Sequence, residues 1–200
     1  MHADQLMLFA RPSAALPEGF VYRPDVISPD EESRLLAEIA LLPFKEFQFH
    51  GFEGKRRVVS FGWRYDFSEH KAVPADPIPP FLLEVLRNVQ AVSGLTLSDV
   101  EQVLVTEYAP GAPIGWHKDR PVFGEVIGLS LASPCMFRLR KSDGNGHWER
   151  VSLRVEPRSA YFLSGPARWT WEHSIPPVDA LRYSITFRNR RSDHRMHGAA

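Results

Sequence analysis

Apolar positions recur at helical spacing early in the chain and at strand spacing later. Ser28-Pro29-Asp30-Glu31 reads as a helix start, with serine as N-cap, proline in the first turn and glutamate three residues on to close a capping box. Leu35, Leu36 and Ile39 then form one buried stripe. A second helix begins near Pro80, its apolar face Phe81, Leu82, Val85, Leu86 and Val89, with Gly94 as a C′ stop. Between the two, residues 44–67 are rich in aromatics and broken by Gly51 and Gly54, which reads as a strand, a turn and another strand. From Val100 onward the pattern shortens. Val103 to Val105 leads into Tyr108 and a turn over 109–113, and Val126 to Leu131 is nearly continuously apolar, as an inner strand is. Met136 to Arg140 and Trp148 to Val155 flank Ser142-Asp143-Gly144-Asn145-Gly146, a strong hairpin turn. Ala160 to Ser164 and Leu181 to Arg188 complete the set. Short strands with frequent turns predict a sandwich or barrel, the jelly roll among them.

Composition narrows this picture only a little. Two hundred residues suit one domain (1–200) able to bury a sizeable core. Lys plus Arg and Asp plus Glu are 24 each, so the molecule is no polycation and any nucleic-acid contact must be local. The single cysteine, Cys135, forms no internal disulfide and fits a reducing compartment. Leu6 to Ala10 is too short for a signal-peptide core, and no run approaches a membrane span. A cytoplasmic monomer with no membrane partner is the expectation.

Candidate chemistry changes the picture more. His117-Lys118-Asp119, followed downstream by His173, offers two imidazoles and a carboxylate, the set that holds Fe(II) on one face and leaves other positions open. Each residue has a plainer reading: His117 as a solvated strand end, His173 as a hydrogen bonder beside Trp169 and Trp171. His2, His50, His70, His147, His194 and His197 lack such partners and read as surface residues. The same three ligands suit zinc, so the decision for iron lies elsewhere. In the strand Arg182 to Arg188, Tyr183, Ile185 and Phe187 share an apolar face. Arg182, Ser184, Thr186 and Arg188 share the other, and a buried guanidinium needs an anion. The two arginines lie about 20 Å apart at strand rise, too far to meet one carboxylate without reaching toward each other, and a dicarboxylate such as 2-oxoglutarate would supply an anion at each end.

Four stretches carry a resemblance to a known family: Thr106 to Asp119, Ile127 to Leu131, His173 to Pro176, and Arg182 to Arg188. In that order, over residues 99–191, they resemble the AlkB family of Fe(II)- and 2-oxoglutarate-dependent dioxygenases. The resemblance implies an α+β, mainly β fold: a double-stranded β-helix (jelly-roll, cupin-like) core with two N-terminal helices backing the sheet. It implies Fe(II) on His117, Asp119 and His173. It also implies that Arg182 with Tyr108 holds the distal carboxylate of 2-oxoglutarate and that Arg188 lies near the keto-acid end. Thr106 and Ser184 stand where the family often has asparagine; their hydroxyls still donate hydrogen bonds, over a shorter reach. The activity implied uses oxygen to hydroxylate a C–H bond, with succinate and carbon dioxide as coproducts. A methyl on nitrogen so hydroxylated leaves as formaldehyde.

Residues 15–98 are expected to supply the helices and a substrate lid. Arg56 and Arg57 precede Phe61, Trp63, Tyr65 and Phe67, and cations interleaved with aromatics suit phosphates and bases of single-stranded DNA or RNA. The plainer reading makes those aromatics the buried face of an outer strand. Arg188, Arg190, Arg191 and Arg195 form a second basic cluster, a groove wall or a solvated tail. DNA-repair members of the family carry a base-reading acid two places after the ligand aspartate; here that residue is Pro121. Pro121 departs from the usual methyladenine or methylcytosine preference and favours the rivals, while the interleaved cations and aromatics make oxidative demethylation of a nucleic-acid base the expected reaction. The rivals are oxidation of a protein or small molecule, and a non-catalytic module on the same fold.

Overall fold

The computed structural model describes residues 15–49 and 52–191. The first helix, α1, forms as its capping box requires: Glu31 N–H donates to Ser28 Oγ (3.2 Å) and Ser28 N–H to Glu31 Oε2 (2.7 Å). In chain order the elements are β1 (Phe20–Arg23), α1 (Pro29–Ile39), β2 (Lys45–Phe49), β3 (Phe52–Phe61), β4 (Trp63–Asp66), β5 (Lys71–Pro74) and α2 (Pro80–Val89). A 3₁₀ turn (Gln90–Val92) precedes β6 (Gln102–Tyr108), β7 (Ile114–His117), β8 (Phe123–Leu131), β9 (Cys135–Ser142) and β10 (Trp148–Val155). Then come β11 (Ala160–Leu163), α3 (Gly165–Trp169), β12 (Glu172–Ile175) and β13 (Arg182–Arg190).

A seven-stranded sheet runs β1-β11-β8-β13-β6-β3-β2, and a four-stranded sheet runs β10-β9-β12-β7. All the strand pairs are antiparallel. Each face of the large sheet has its own core. Outward, Val103, Val105, Ile127, Leu129, Ile185 and Phe187 pack under Leu35, Ile39, Leu82 and Leu86 of the two helices. Inward, Tyr108, Val126, Tyr161 and Leu163 meet Phe137, Leu139 and Ile175 of the small sheet. This is the jelly roll with helices backing the larger sheet, and the alternation of β13 is as its sequence requires.

Two expectations are corrected. Gly94 is not the C′ stop of α2: Gln90 is the C-cap, in αR, and the 3₁₀ turn continues because Val89 and Val92 are both buried. The stretch 44–67 holds three strands rather than two. Gly62 ends β3 at φ 73°, and a Cβ there would run into the Glu101 carbonyl, so a glycine is required. β4 then pairs with β5 in a separate hairpin. Gly51 lies outside the described residues, as do His2, His50, His194, Arg195 and His197; Gly54 sits inside β3 rather than breaking it.

Candidate active site

His117 closes β7 and His173 sits on β12, directly opposite it in the ladder. Their rings lie 4.2 Å apart, and Asp119 enters from the loop just after β7. Ligand atoms of all three fall within 4.8 Å of one another. His117 Nδ1 is 2.8 Å from the Gly115 carbonyl; with its proton donated there, Nε2 keeps the lone pair a metal takes. Phe137 stacks on the His173 ring at 5.3 Å and 13°. Burial, helped by His117, pushes the His173 imidazole down to about 3, and burial lowers His117 too. Both rings are therefore neutral, the form that binds metal. Burial, the largest single effect, would raise the Asp119 carboxyl, but the Arg188 guanidinium together with His173, His117 and Arg168 outweighs it and holds the carboxyl well below its usual range.

Arg188 donates from Nη2 to Asp119 Oδ1 (3.2 Å) and from Nη1 to Gln102 Oε1 (3.0 Å). It thereby fixes the carboxylate before any metal arrives. Arg182 is wholly buried, at 0% exposure, with its guanidinium 4.9 Å from the Tyr108 ring. Its Nη2 donates to Ser130 Oγ (3.2 Å), while Nε and Nη1 have no hydrogen-bond partner. A sealed cation with two unmatched donors is costly, and a carboxylate supplies what is missing. The donor set thus fits a diacid whose far end meets Arg182. Thr106 and Ser184 are register partners on the same inward face, beside Tyr108.

Arg182 lies behind Tyr108, while the triad, Gln102, Thr106, Tyr108, Ser184 and Arg188 line one cavity of about 1140 Å³ between the sheets. Its wall carries five cations, Lys45, Arg56, Arg64, Lys118 and Arg120, besides Arg188. Two carboxylates, Glu46 and Asp76, join Asp119 there. Of the lid residues expected from sequence, Arg56 and Tyr65 line the cavity, with Phe67. Arg57, Phe61 and Trp63 do not, and this corrects the sequence reading. β3 alternates: Arg56, Val58 and Ser60 sit across from Tyr108, Thr106 and Leu104, whereas Arg57, Val59 and Phe61 sit across from Glu107, Val105 and Val103. Arg57 accordingly pairs with Glu107 (2.7 and 2.8 Å), and Phe61 joins the helix-side core. Past the Gly62 break, Trp63 lies under the Arg190 guanidinium at 3.8 Å. The second basic cluster is likewise dispersed, Arg188 at the site, Arg190 on Trp63 and Arg191 over Trp169. His70 and His147 are exposed, as expected.

Three contributors escaped the sequence reading. Tyr161 on β11 lies across Gly128, where any Cβ would overlap its ring, and burial pushes its phenol up. The cue was Gly128 inside an otherwise apolar strand. Arg168, 3% exposed, donates to the carbonyls of Gly124 (2.6 Å), Phe123 (2.7 Å) and Arg120 (3.0 Å), pinning the loop that carries Asp119. Nothing local in sequence signals that role. Arg120, next to Asp119, was the neighbour to inspect.

A family model described as the 2OG-Fe(II) oxygenase superfamily matches residues 19–191. The chain is 30% identical to an uncharacterized protein, L905, of Acanthamoeba polyphaga mimivirus, over 86% of this chain and 84% of that one. It is 25% identical to an Arabidopsis thaliana protein named alkylated DNA repair protein ALKBH8 homolog, over 86% of this chain and 56% of the relative, so it spans about half that protein's length. The structure of OsALKBH1 superposes with a TM-score of 0.65 over 88% of this chain and 99% of that one; at 15% identity the likeness concerns the fold alone.

Proposed function

The chain belongs to the 2OG-Fe(II) oxygenase superfamily and is an AlkB-like dioxygenase, and from that premise we propose that it oxidatively demethylates an alkylated or modified base in single-stranded nucleic acid. The family implies Fe(II), 2-oxoglutarate and oxygen. His117, Asp119 and His173 would hold the iron. Arg182, with Tyr108 and Ser130, would take the distal carboxylate of 2-oxoglutarate. Arg188 would steady Asp119 beside the keto-acid end, and Thr106 and Ser184 would add hydroxyl donors along the inward face. Bound there, iron, 2-oxoglutarate and oxygen would supply oxidation of a C–H bond of the substrate's methyl group, with succinate and carbon dioxide as coproducts. The hydroxymethyl nitrogen then loses formaldehyde and regains its proton. Phe137, Tyr161 and Leu163 line the inner cavity and limit water there.

The observation that carries the cosubstrate reading is Arg182, sealed and short of two partners against the ring of Tyr108, which lines the cavity that also holds the triad. For the substrate, support comes from the cationic cavity wall with Tyr65 and Phe67, the composition that phosphates and stacked bases need. The name of the Arabidopsis thaliana relative points the same way.

Single substitutions His117→Ala, Asp119→Ala and His173→Ala should each abolish succinate release while circular dichroism stays native. A panel of single-stranded oligonucleotides, each with one N-methylated base, should raise succinate and release formaldehyde in equal amounts. Normal uncoupled succinate release, with neither stimulation nor formaldehyde from any oligonucleotide, would leave a protein or small-molecule substrate in place of the nucleic acid.

A further inference from the structure

Arg120 follows the aspartate of the triad directly, and it is held at both ends. Its carbonyl accepts from Arg168 Nη2 (3.0 Å) and from Phe123 N–H (3.0 Å), so the backbone is pinned. Its guanidinium lies 4.8 Å from the centroid of Tyr65 and 4.8 Å from that of Phe67. Those two rings pack edge to face at 5.2 Å on the hairpin that begins at β4. All three side chains line the cavity. Among the described residues the guanidinium rests against aromatic rings and not against a carboxylate. Pro121, next along, offers neither an acceptor side chain nor an N–H.

We propose that Arg120 reads the substrate and selects a base with acceptors on its edge and no positive charge, of the uracil or guanine type. This rests on the nucleic-acid reading above. A guanidinium donates and never accepts, so it complements keto oxygens and ring-nitrogen acceptors. Beside the nitrogen that is methylated, guanine O6 and uracil O4 are keto acceptors, where adenine N6 and cytosine N4 are amino donors. Methylation at adenine N1 or cytosine N3 also leaves the base positively charged at neutral pH, so it meets the Arg120 charge head-on. The wall adds to that repulsion, four further cations facing Glu46 and Asp76. Keto bases methylated on nitrogen stay neutral and keep their oxygens. Where a carboxylate would welcome a cationic base, this mouth turns it away.

The rival role is bracing, with Arg120 doing no more than steadying Tyr65 and Phe67. Ratios between substrates separate the two roles, because a brace affects every substrate alike. Four single-stranded oligonucleotides would be matched except for one base: 3-methyluracil, 1-methylguanine, 1-methyladenine or 3-methylcytosine. For the iron-loaded enzyme, kcat/KM on the first two should exceed that on the last two about tenfold or more, the discrimination one matched side-chain pair supplies. Arg120→Lys should keep the preference and Arg120→Glu should invert it. Equal loss on all four in Arg120→Glu, or a wild-type preference for 1-methyladenine, overturns the assignment to Arg120 while leaving nucleic acid as substrate. Failure of all four to bind in fluorescence anisotropy, with uncoupled succinate release intact, overturns the nucleic-acid reading and this one with it.

Discussion

A guanidinium sealed at 0% exposure with two unmatched donors weakens the protein, and on the proposed reading the cosubstrate's carboxylate would relieve it. Arg182 therefore couples stability to ligand in a way that one substitution exposes. Arg182→Met removes the charge at similar volume, and replacing buried ionic groups by apolar ones is often neutral or stabilising. The variant should melt no lower than the parent without ligand, and 2-oxoglutarate should no longer raise its melting temperature. Its KM for 2-oxoglutarate should rise about tenfold or more, because a charge-assisted bond contributes roughly 1.5–3 kcal/mol. Arg191→Met should leave KM unchanged, since Arg191 lies over Trp169, away from the cavity. Succinate release against 2-oxoglutarate concentration decides it. Equal KM values for Arg182→Met and the parent would mean that the inward arginine of β13 holds something else. Parity along Arg182 to Arg188 made this face readable from sequence, because alternation needs no partner to be known.

At the scale of elements, the helices and inner strands were legible because their signals are local. Ser28 and Glu31 cap α1 within four residues, and β9 and β10 meet across Asp143, whose Oδ1 accepts from Asn145 N–H (2.8 Å) and His147 N–H (3.1 Å). The stretch from β3 to β5 was not legible, because its face depends on the register with β6, fixed far along the chain. One residue of parity separates Arg56, in the cavity, from Arg57, on the helix side; Gly62 then breaks the alternation that put Phe61, Trp63 and Tyr65 on one face. Arg57→Ala should consequently cost stability and not substrate binding. The pair is half exposed on the arginine side (48%), so about 1 kcal/mol is expected, roughly 3 °C in melting temperature. The sign with pH follows from Glu107, whose carboxyl Arg57 holds below its ordinary 4.5 against the opposing effect of burial. A depressed carboxylate contributes above the unfolded value, and that contribution is lost as pH falls through the folded one. The gap between parent and Arg57→Ala should thus hold at neutral pH and close below pH 4.5. A gap that widens on acidification would show that Glu107 is not what Arg57 supports.

Across the whole molecule, cations and carboxylates balance at 24 each, so a polyanion is drawn only where the balance is broken locally. Two places qualify. One is the cavity mouth, with five cations against two carboxylates once the Arg188–Asp119 pair is set aside. The other is the outer face of the small sheet, where Arg140 lies between Trp116 (4.4 Å) and Trp148 (4.2 Å). That second face is engaged with itself: Arg140 pairs with Glu172 (2.6 Å), Arg154 with Glu156 (2.6 Å), and Arg138 donates to Ser174 Oγ (3.1 Å). The mouth keeps the larger local excess of cations over carboxylates even with Arg64 paired to Asp66, so it should dominate. Each single-strand phosphate contact contributes about 0.7 to the slope of log affinity against log salt, and two or three contacts give a slope near −2. Arg56→Ala should weaken binding of a single-stranded oligonucleotide and flatten that slope by about 0.7, whereas Arg154→Ala should change neither. Fluorescence anisotropy over a salt series reads both. The reverse result, with Arg154 carrying the slope and Arg56 silent, would move the strand from the jelly-roll mouth to the outside of the small sheet, too far from the triad for the same contacts to serve catalysis.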